Sequence, residues 1–444
     1  MIEINSKDEV DSSISKKIIS NTIYNYLGNL TQIFINFFLT PYIFRKLGAE
    51  RFGIWAFMFA VTSYFSLLDL GAGGSFTKYL AEYKAKRDTK NINNIINHGL
   101  LFYLPLGIIQ FIAGYFLIDI IIGFFKIEEV YISETYNVLL FGILAFCIQS
   151  TVTPIRSIFE GFQKMGILNY IKIISAIPRA AGIVFVLHYG YGLTGLALNE
   201  AAYSIYIGIA YIYYSYKIFP QISFFPKIIE KDVFKKIFTF GYKVQVAKIA
   251  YLINFQTDKF LIGYFLNTAS IGFYDIGNRV ASIARSFPLL MVSAITPAAS
   301  EVDSTKSKEE LWKLYIRASK FLLIFTTPIF IFLAFNNKII LELWLSKSYP
   351  PAEMVLLIMC SAYYFNLISG VANVVSIGIG KPEFEMETSI YASLLNILLS
   401  IILIIKYELA GCVIATAITF LFYSLFLVYK FHSHYNESLT IFIK

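Results

Sequence analysis

The sequence predicts an all-α polytopic membrane protein with about twelve transmembrane helices, arranged as two six-helix lobes related by parallel duplication. Three observations lead there. Hydrophobic residues make up 57% of the 444 positions and charged residues only 15%, well beyond the apolar content of a soluble domain. Apolar runs of membrane-spanning length recur along the whole chain. The second half also rewrites the first. Ala145 to Lys164 aligns without a gap on Ala362 to Lys381, setting Gly161 on Gly378 and Gln149 on Asn366. Upstream, Gly53 and Glu82 match Gly272 and Glu301, with Trp55 over Tyr274; downstream, Gly195 matches Gly411. Blocks that keep their order at nearly constant spacing indicate a duplicated unit. If each copy holds an even number of helices, both copies share one orientation, and a pseudo-two-fold axis runs along the membrane normal with a crevice between the bundles.

The predicted spans run roughly over 18–43, 53–76, 95–125, 136–161, 166–188, 192–216, 237–264, 270–298, 316–340, 354–380, 384–406 and 410–432. They divide the chain into an N-terminal tail (1–17), an N-terminal lobe (18–216), a linker (217–236), a C-terminal lobe (237–432) and a C-terminal tail (433–444). The tail MIEINSKDEVDSSISKK is polar and lacks the apolar core of a cleavable signal peptide, so the first helix is expected to insert the chain. In the linker KIFPQISFFPKIIEKDVFKK, Pro220 and Pro226 stop a continuous helix. Its mixture of Phe and Lys suits an amphipathic strap at the inner interface.

The net charge of +8 fits the positive-inside rule better than nucleic-acid binding. Inward segments carry Lys16 and Lys17; Lys84, Lys86, Arg87 and Lys90; Lys227, Lys231, Lys235 and Lys236; and Lys306, Lys308 and Lys313. Outward loops hold fewer cations, chiefly Arg45, Lys46 and Arg51, and the 126–134 loop is acidic. Both termini are therefore expected in the cytoplasm. Cys147, Cys360 and Cys412 fall in apolar helices and read as small core residues, while His98, His188, His432 and His434 are scattered. No metal-ligand spacing and no catalytic triad emerges.

A charge at helix centre costs roughly 2.5–3.5 kcal/mol on insertion scales, so it normally faces a wet cavity or a partner. The spans nevertheless hold Arg156, Lys172, Arg179, Lys243, Lys248, Lys259, Arg279 and Arg285, against the acids Asp69, Glu200, Asp258 and Asp275. The excess is positive. In the eighth span, Asp275, Asn278, Arg279, Ser282, Arg285, Ser286, Ser293 and Thr296 share a face about 120° wide, with Phe273, Val280, Ala284, Phe287 and Met291 opposite. Lys172, Ser175 and Arg179 share a face in the fifth, and Gln149, Thr153, Arg156 and Glu160 group in the fourth. Two readings stay open for these charges. Arg156, Lys172 and Lys243 lie near inner helix ends, where snorkelling to headgroups is open to them, and Asp275 with Arg279 has the spacing of a structural pair. Arg179, Lys248 and Arg285 lie deeper, where a hydrated cavity is the better reading. A cationic cavity suits phosphate or carboxylate, which the Arg fork grips in two places.

The segment FRKLGAERFGIWAFMFAVTSYFSLLDLGAGGSFTKYLAEYKAKRD resembles the Wzx-type oligosaccharide flippases, the polysaccharide transporter family of the MATE-like (MOP) exporter superfamily. Leu47-Gly48, Phe52-Gly53-Ile54-Trp55, Leu68-Asp69-Leu70-Gly71 and Lys78-Tyr79-Leu80-Ala81-Glu82-Tyr83 carry the likeness. TDKFLIGYFLNTASIGFYDIGNRV, with Asp258-Lys259 and Tyr274, extends it. The resemblance implies translocation of undecaprenyl-pyrophosphate-linked oligosaccharide repeat units, O-antigen or capsule precursors, to the outer leaflet of the bacterial inner membrane. Movement would proceed by alternating access through a cationic cavity built from Arg156, Lys172, Arg179, Lys248, Lys259, Arg279 and Arg285. It implies no cofactor and no catalytic residue. Coupling to H+ or Na+ is common among such exporters; drug-exporting relatives often carry a carboxylate in helix one, which this chain lacks, so Asp69, Glu200, Asp258 and Asp275 stand as candidates. Implied partners are the lipid-linked substrate, membrane lipids, a polysaccharide polymerase and a chain-length regulator.

Rival readings are a MATE-like multidrug or ion-coupled exporter, a lipid II flippase, a polysaccharide polymerase or ligase, and a sugar facilitator. A cationic lumen disfavours cationic drugs, and the FGIW and LDLG blocks lean away from a lipid II flippase. The outward loops are too short for a polymerase. TKYLAEYKAKRDTKN lacks the Gly-x-x-x-Asp-Arg pattern of facilitators.

Overall fold

In the computed structural model, which describes residues 2–125, 127–224, 231–293, 295–305 and 308–438, the described chain is helical from end to end, without strands. The helices are α1 (Ile2–Phe65), α2 (Ala72–Ala85), α3 (Thr89–Phe124), α4 (Ile132–Thr151), α5 (Thr153–Gly161), α6 (Met165–His188), α7 (Gly192–Ile218), α8 (Lys231–Phe265), α9 (Thr268–Ser293), α10 (Ile295–Thr305), α11 (Lys308–Phe335), α12 (Asn337–Leu345), α13 (Pro350–Ile368), α14 (Gly370–Gly378) and α15 (Glu383–Tyr435). Linker residues 225–230, with Lys227, and Lys306 lie outside the described residues, as do the side chains of Lys16, Lys17, Lys231, Lys235, Lys236, Lys243 and Ser293.

Among the described residues, seven helical stretches are long and apolar enough to cross a membrane: Ile23–Asp69, Thr89–Phe124, Glu129–Thr151, Met165–His188, Lys308–Phe335, Pro350–Gly378 and Glu383–Tyr435. The first and last run to 47 and 53 residues, far more than the ~20 that one crossing needs. Each contains a kink. α1 breaks at Gly48 (φ 79°, ψ 174°) and α15 at Glu408 (φ 51°, ψ −134°), at the boundaries expected between spans one and two and between eleven and twelve. α8 and α9 have the length but keep the charged positions that lower their hydropathy.

The second predicted span is not one helix. After Phe65 the chain makes a 3-10 turn over Ser66–Asp69, passes through left-handed Leu70 (φ 53°) and Gly71 (φ 73°), and restarts as α2. The Leu68-Asp69-Leu70-Gly71 block is that break. The fourth predicted span is likewise split at Val152, where Pro154 begins α5.

The chain forms two compact units. The first comprises Met1–Lys46, Val61–Gly123 and Glu128–Lys248; the second comprises Leu47–Ala60, Phe124–Ile127 and Ile249–Lys444. The core of the first joins Phe76, Leu80, Ile96, Tyr103, Ile158, Phe159 and Tyr211. In the second, Tyr315, Val371, Val375 and Phe431 form one core, with Trp312 packed on it. Large apolar side chains also point outward, including Phe116 (70% exposed), Phe321 (75%) and Phe335 (85%). Such exposure suits a surface solvated by lipid, where helices satisfy their own backbone groups.

Matching glycines play matching parts. A Cβ on Gly161 would meet the Thr77 carbonyl oxygen and the Ala81 nitrogen of α2, at 2.9 and 3.1 Å. On Gly378 it would meet the Thr296 carbonyl oxygen and the Ser300 nitrogen of α10, at 2.8 and 3.5 Å. Both positions need glycine because another helix backbone runs against them.

Candidate functional site

Within the first unit, Arg179 of α6 reaches across to Glu200 of α7. Its Nε and Nη2 each lie 2.7 Å from Glu200 Oε1, and Nη1 donates to Asn36 Oδ1 at 3.3 Å. The guanidinium carbon sits 5.3 Å from the centre of the Tyr203 ring, within cation–π range. Asn199 ties its amide to the Arg179 carbonyl at 3.1 Å. A charge-assisted pair with a stacked face is a strongly held arginine.

Lys248 of α8 closes on the break after α1. Its ammonium donates to the Ser66 carbonyl at 2.6 Å and to Asp69 Oδ2 at 3.1 Å, and Gln245 donates to the Leu67 carbonyl at 2.7 Å. Asp69 Oδ1 accepts the Gly71 N–H at 2.8 Å. A helix break frees backbone carbonyls, and the two α8 side chains satisfy two of them. At Gly71 a Cβ would overlap the Gly241 carbonyl oxygen, so the two backbones touch there.

Arg156 and Glu160 form an i,i+4 pair on α5 at 3.2 Å, and Thr77 donates to Glu160 at 2.9 Å. Arg156 is about half exposed (48%). Lys172 is partly buried, and its carbonyl accepts Gln32 Nε2 at 3.1 Å.

The second unit carries the denser group. Asp275 is 6% exposed and holds two cations. Lys259 Nζ lies 2.6 Å from Oδ1, and Arg279 Nη2 lies 2.7 Å from Oδ2. The neighbouring carboxylate, Asp258, accepts the Tyr274 and Thr416 hydroxyls at 2.7 Å each. Asn396 donates to Thr416 at 3.3 Å. Further along α9, Arg285 Nε donates to Asn366 Oδ1 at 2.8 Å, and its guanidinium carbon lies 5.1 Å from the Phe255 ring centre and 5.2 Å from that of Tyr363. The Tyr363 hydroxyl donates to Asn278 at 2.7 Å, while its ring stacks on Phe420.

The sequence-derived set thus divides. Arg179, Lys248, Lys259 and Arg279 each meet one of the four acids named in the spans: Glu200, Asp69 and Asp275 are ion-pair partners, and Asp258 is held by hydroxyls instead. The i,i+4 reading of Asp275 and Arg279 identified a real pair but missed its third member, Lys259. Unanticipated members are Asn36, Tyr203, Gln245, Phe255, Tyr363 and Thr416. Polar side chains inside apolar runs were the available signal for Asn36, Gln245 and Thr416; nothing marks one tyrosine or phenylalanine among 32 and 42. Among the described residues no group of three or more His, Cys, Asp or Glu is placed to hold a metal ion.

The profile of the family described as "Polysaccharide biosynthesis protein" matches residues 18–303, well over half of the chain. The chain belongs to that family. The MatE family profile matches residues 245–402. A putative O-antigen transporter of Shigella flexneri is 24% identical over 412 residues, covering 90% of this chain and 94% of its own. A probable low-salt glycan biosynthesis flippase of Haloferax volcanii is 20% identical over 422 residues, covering 94% and 83%. Among solved structures, an inward-facing multidrug resistance MATE transporter of the MOP superfamily superposes with a TM-score of 0.77 at 14% identity, covering 93% of this chain and 96% of that one. The expected resemblance holds: this polysaccharide biosynthesis family member is a Wzx-type protein with the MOP exporter fold. It is a multi-pass integral membrane protein.

Proposed function

We propose that this protein flips lipid-linked oligosaccharides, carrying undecaprenyl-pyrophosphate-linked repeat units from the cytoplasmic to the outer leaflet for surface polysaccharide assembly. The observation that carries the reading is the family match over 18–303, joined to near full-length similarity with a putative O-antigen transporter. Side-chain chemistry supports it. Arg285, flanked by Phe255 and Tyr363 and joined to Asn366, combines a cation for pyrophosphate with the rings and amides that suit sugars. Arg156 and Lys172 are the complementary cations in the first unit. Arg179, Lys248, Lys259 and Arg279 line the same path in this reading, each steadied by its acid.

Transport proceeds by alternating access of the halves 18–216 and 237–432, with both termini and the 217–236 linker in the cytoplasm of the inner membrane. Asp258, Asp275, Glu200 and Asp69 are the candidates for coupling to H+ or Na+. The polymerase and chain-length regulator receive the product. Expression in a bacterium deleted for its own repeat-unit transporter tests the reading: polymer should return to the cell surface, whereas accumulation of lipid-linked repeat units at the inner leaflet would refute it. The MatE match over 245–402 favours a second reading, drug export. That reading requires raised drug resistance in the same cells without restored polymer.

A further inference from the structure

On α11, Leu314, Arg317, Ala318, Phe321, Leu322 and Phe325 recur at the alternating three- and four-residue spacing that keeps one helix face. That face packs beside the end of α9 and the start of α10, all within the second unit. An apolar groove of about 450 Å³ runs between the helices. Val292 (4% exposed) and Leu322 (6%) form its floor, while the exposed side chains of Met291, Phe321 and Phe325 stand as its rims.

One member of the lining is charged. Arg317 is exposed, and among the described residues it enters no ion pair. The positions one turn away on α11 are Lys313, Leu314, Lys320 and Phe321, so no carboxylate shares that part of the face. Lys313 is engaged by Glu309 at 2.8 Å, whereas Lys320 adds a second exposed cation. A second groove on this unit, lined by Leu323, Tyr364, Phe422 and Tyr429 among others, has no charged residue. Depth is equally specific. Leu314 to Phe325 covers about 16 Å of helix at 1.5 Å per residue, half of a hydrocarbon core ~30 Å thick. In the topology proposed above α11 starts on the cytoplasmic side, so the groove is as deep as the inner leaflet, with Arg317 near its headgroup end.

We propose that this groove is the site of one anionic phospholipid of the inner leaflet, with its phosphate on Arg317 and an acyl chain along Val292, Leu322 and Phe325. Charge and length both select that occupant. The guanidinium fork grips a phosphate in two places, and Lys320 adds attraction for a headgroup of net negative charge. A zwitterionic headgroup brings an ammonium group to the same two cations and loses that gain. An acyl chain ends near the midplane, as the groove does, whereas a polyprenyl chain is longer than one leaflet and would leave much of its length outside. A snorkelling arginine on a plain helix meets whichever headgroup drifts past; here the trough beside it also holds the chain. The bound lipid bridges α9, α10 and α11. The site goes beyond the transporter reading and shares with it only the inward start of α11.

Photolabelling of the purified full-length protein in nonionic detergent tests this, with phosphatidylglycerol carrying a diazirine in its acyl chain as the probe. Label should appear on the α11 peptide around Phe321–Phe325. Unlabelled phosphatidylglycerol should compete at about fivefold lower concentration than phosphatidylcholine, the factor that one cation at a membrane surface supplies. Arg317→Gln should erase that preference, Arg317→Lys should keep most of it, and Ala318→Trp should reduce labelling by filling the trough. Should Ala318→Trp fail to fold, the two changes at exposed Arg317 decide. The proposal is overturned if the two phospholipids compete equally on the wild type, or if Arg317→Gln keeps the preference. It is also overturned if undecaprenyl phosphate competes better than phosphatidylglycerol, which would give the groove to the transported lipid. The assay needs no transport. Selective labelling of a protein that restores no polymer would leave the lipid site standing and remove the flippase reading; equal competition with polymer restored would do the reverse.

Discussion

Lys259 and Asp275 form a buried ion pair at 2.6 Å, joining α8 to α9. Arg279 binds the other oxygen of the same carboxylate, so one acid serves two cations. Both members of the 2.6 Å pair are under 10% exposed, and charges so placed cost little only while paired. The trio is therefore a structural requirement of the second unit, whatever it also does for substrate or ions.

Asp275→Asn should consequently be among the most damaging single changes in the protein. It leaves two cations without their carboxylate, at a cost of about 3–5 kcal/mol. Thermal unfolding in detergent should show a large fall in midpoint, and the double change Lys259→Met with Arg279→Met in the Asp275→Asn background should recover part of it.

At the α1–α2 break, Gly71 combines φ 73° with backbone contact to Gly241. Gly71→Val should destabilise the first unit by at least ~1–3 kcal/mol, since the new side chain is both strained and overlapping. Lys248→Met should be milder, because Gln245 still satisfies the Leu67 carbonyl. The two unfolding midpoints, compared in one detergent, check the order.

Which parts were legible in the sequence follows from how far apart the partners lie. Apolar runs gave the helices, and the joints at Gly48 and Glu408 fall where spans were expected to end. The break at Ser66–Gly71 lies hidden within the apolar run 53–76, although LDLGAGG supplies the glycine that left-handed backbone needs. Asp275 and Arg279 were readable as a pair because four residues make one helical turn. Asp69 with Lys248 was not, because only folding brings chain-distant segments together. Nor was the sandwich around Arg285: Asn366 aligns with Gln149 in the repeat, but Phe255 and Tyr363 look like any other membrane aromatic.

Arg285→Lys should impair transport far more than it lowers stability. Lysine keeps the charge but loses the planar face that lies against Phe255 and Tyr363 and the Nε–H given to Asn366. Losing one cation–π stack corresponds to about a tenfold drop in rate. Polymer export and the unfolding midpoint, measured on the same preparation, separate the two effects.

Outside the membrane spans, Asp88 caps α3. It accepts the Asn91 N–H at 3.0 Å and the Asn91 side-chain amide at 2.6 Å, and these hydrogen bonds hold its carboxyl below the ordinary carboxylate range. A depressed folded-state value means the stabilisation is complete above the unfolded value of about 3.9 and disappears as pH falls through the folded one. The midpoint difference between the wild type and Asp88→Ala should be constant from pH 8 to about 5, then shrink on further acidification. A difference that grows in acid would contradict the cap.

The most direct test of the central claim is a flipping assay in sealed proteoliposomes containing undecaprenyl-pyrophosphate-linked oligosaccharide, with outer-leaflet sugar read by an impermeant lectin or glycosidase. The purified protein should speed the appearance of inner-leaflet oligosaccharide at the outer face, and Arg285→Lys should slow that appearance about tenfold. Appearance at the rate of protein-free vesicles, with folded wild-type protein in the membrane and with or without an imposed H+ or Na+ gradient, would contradict it.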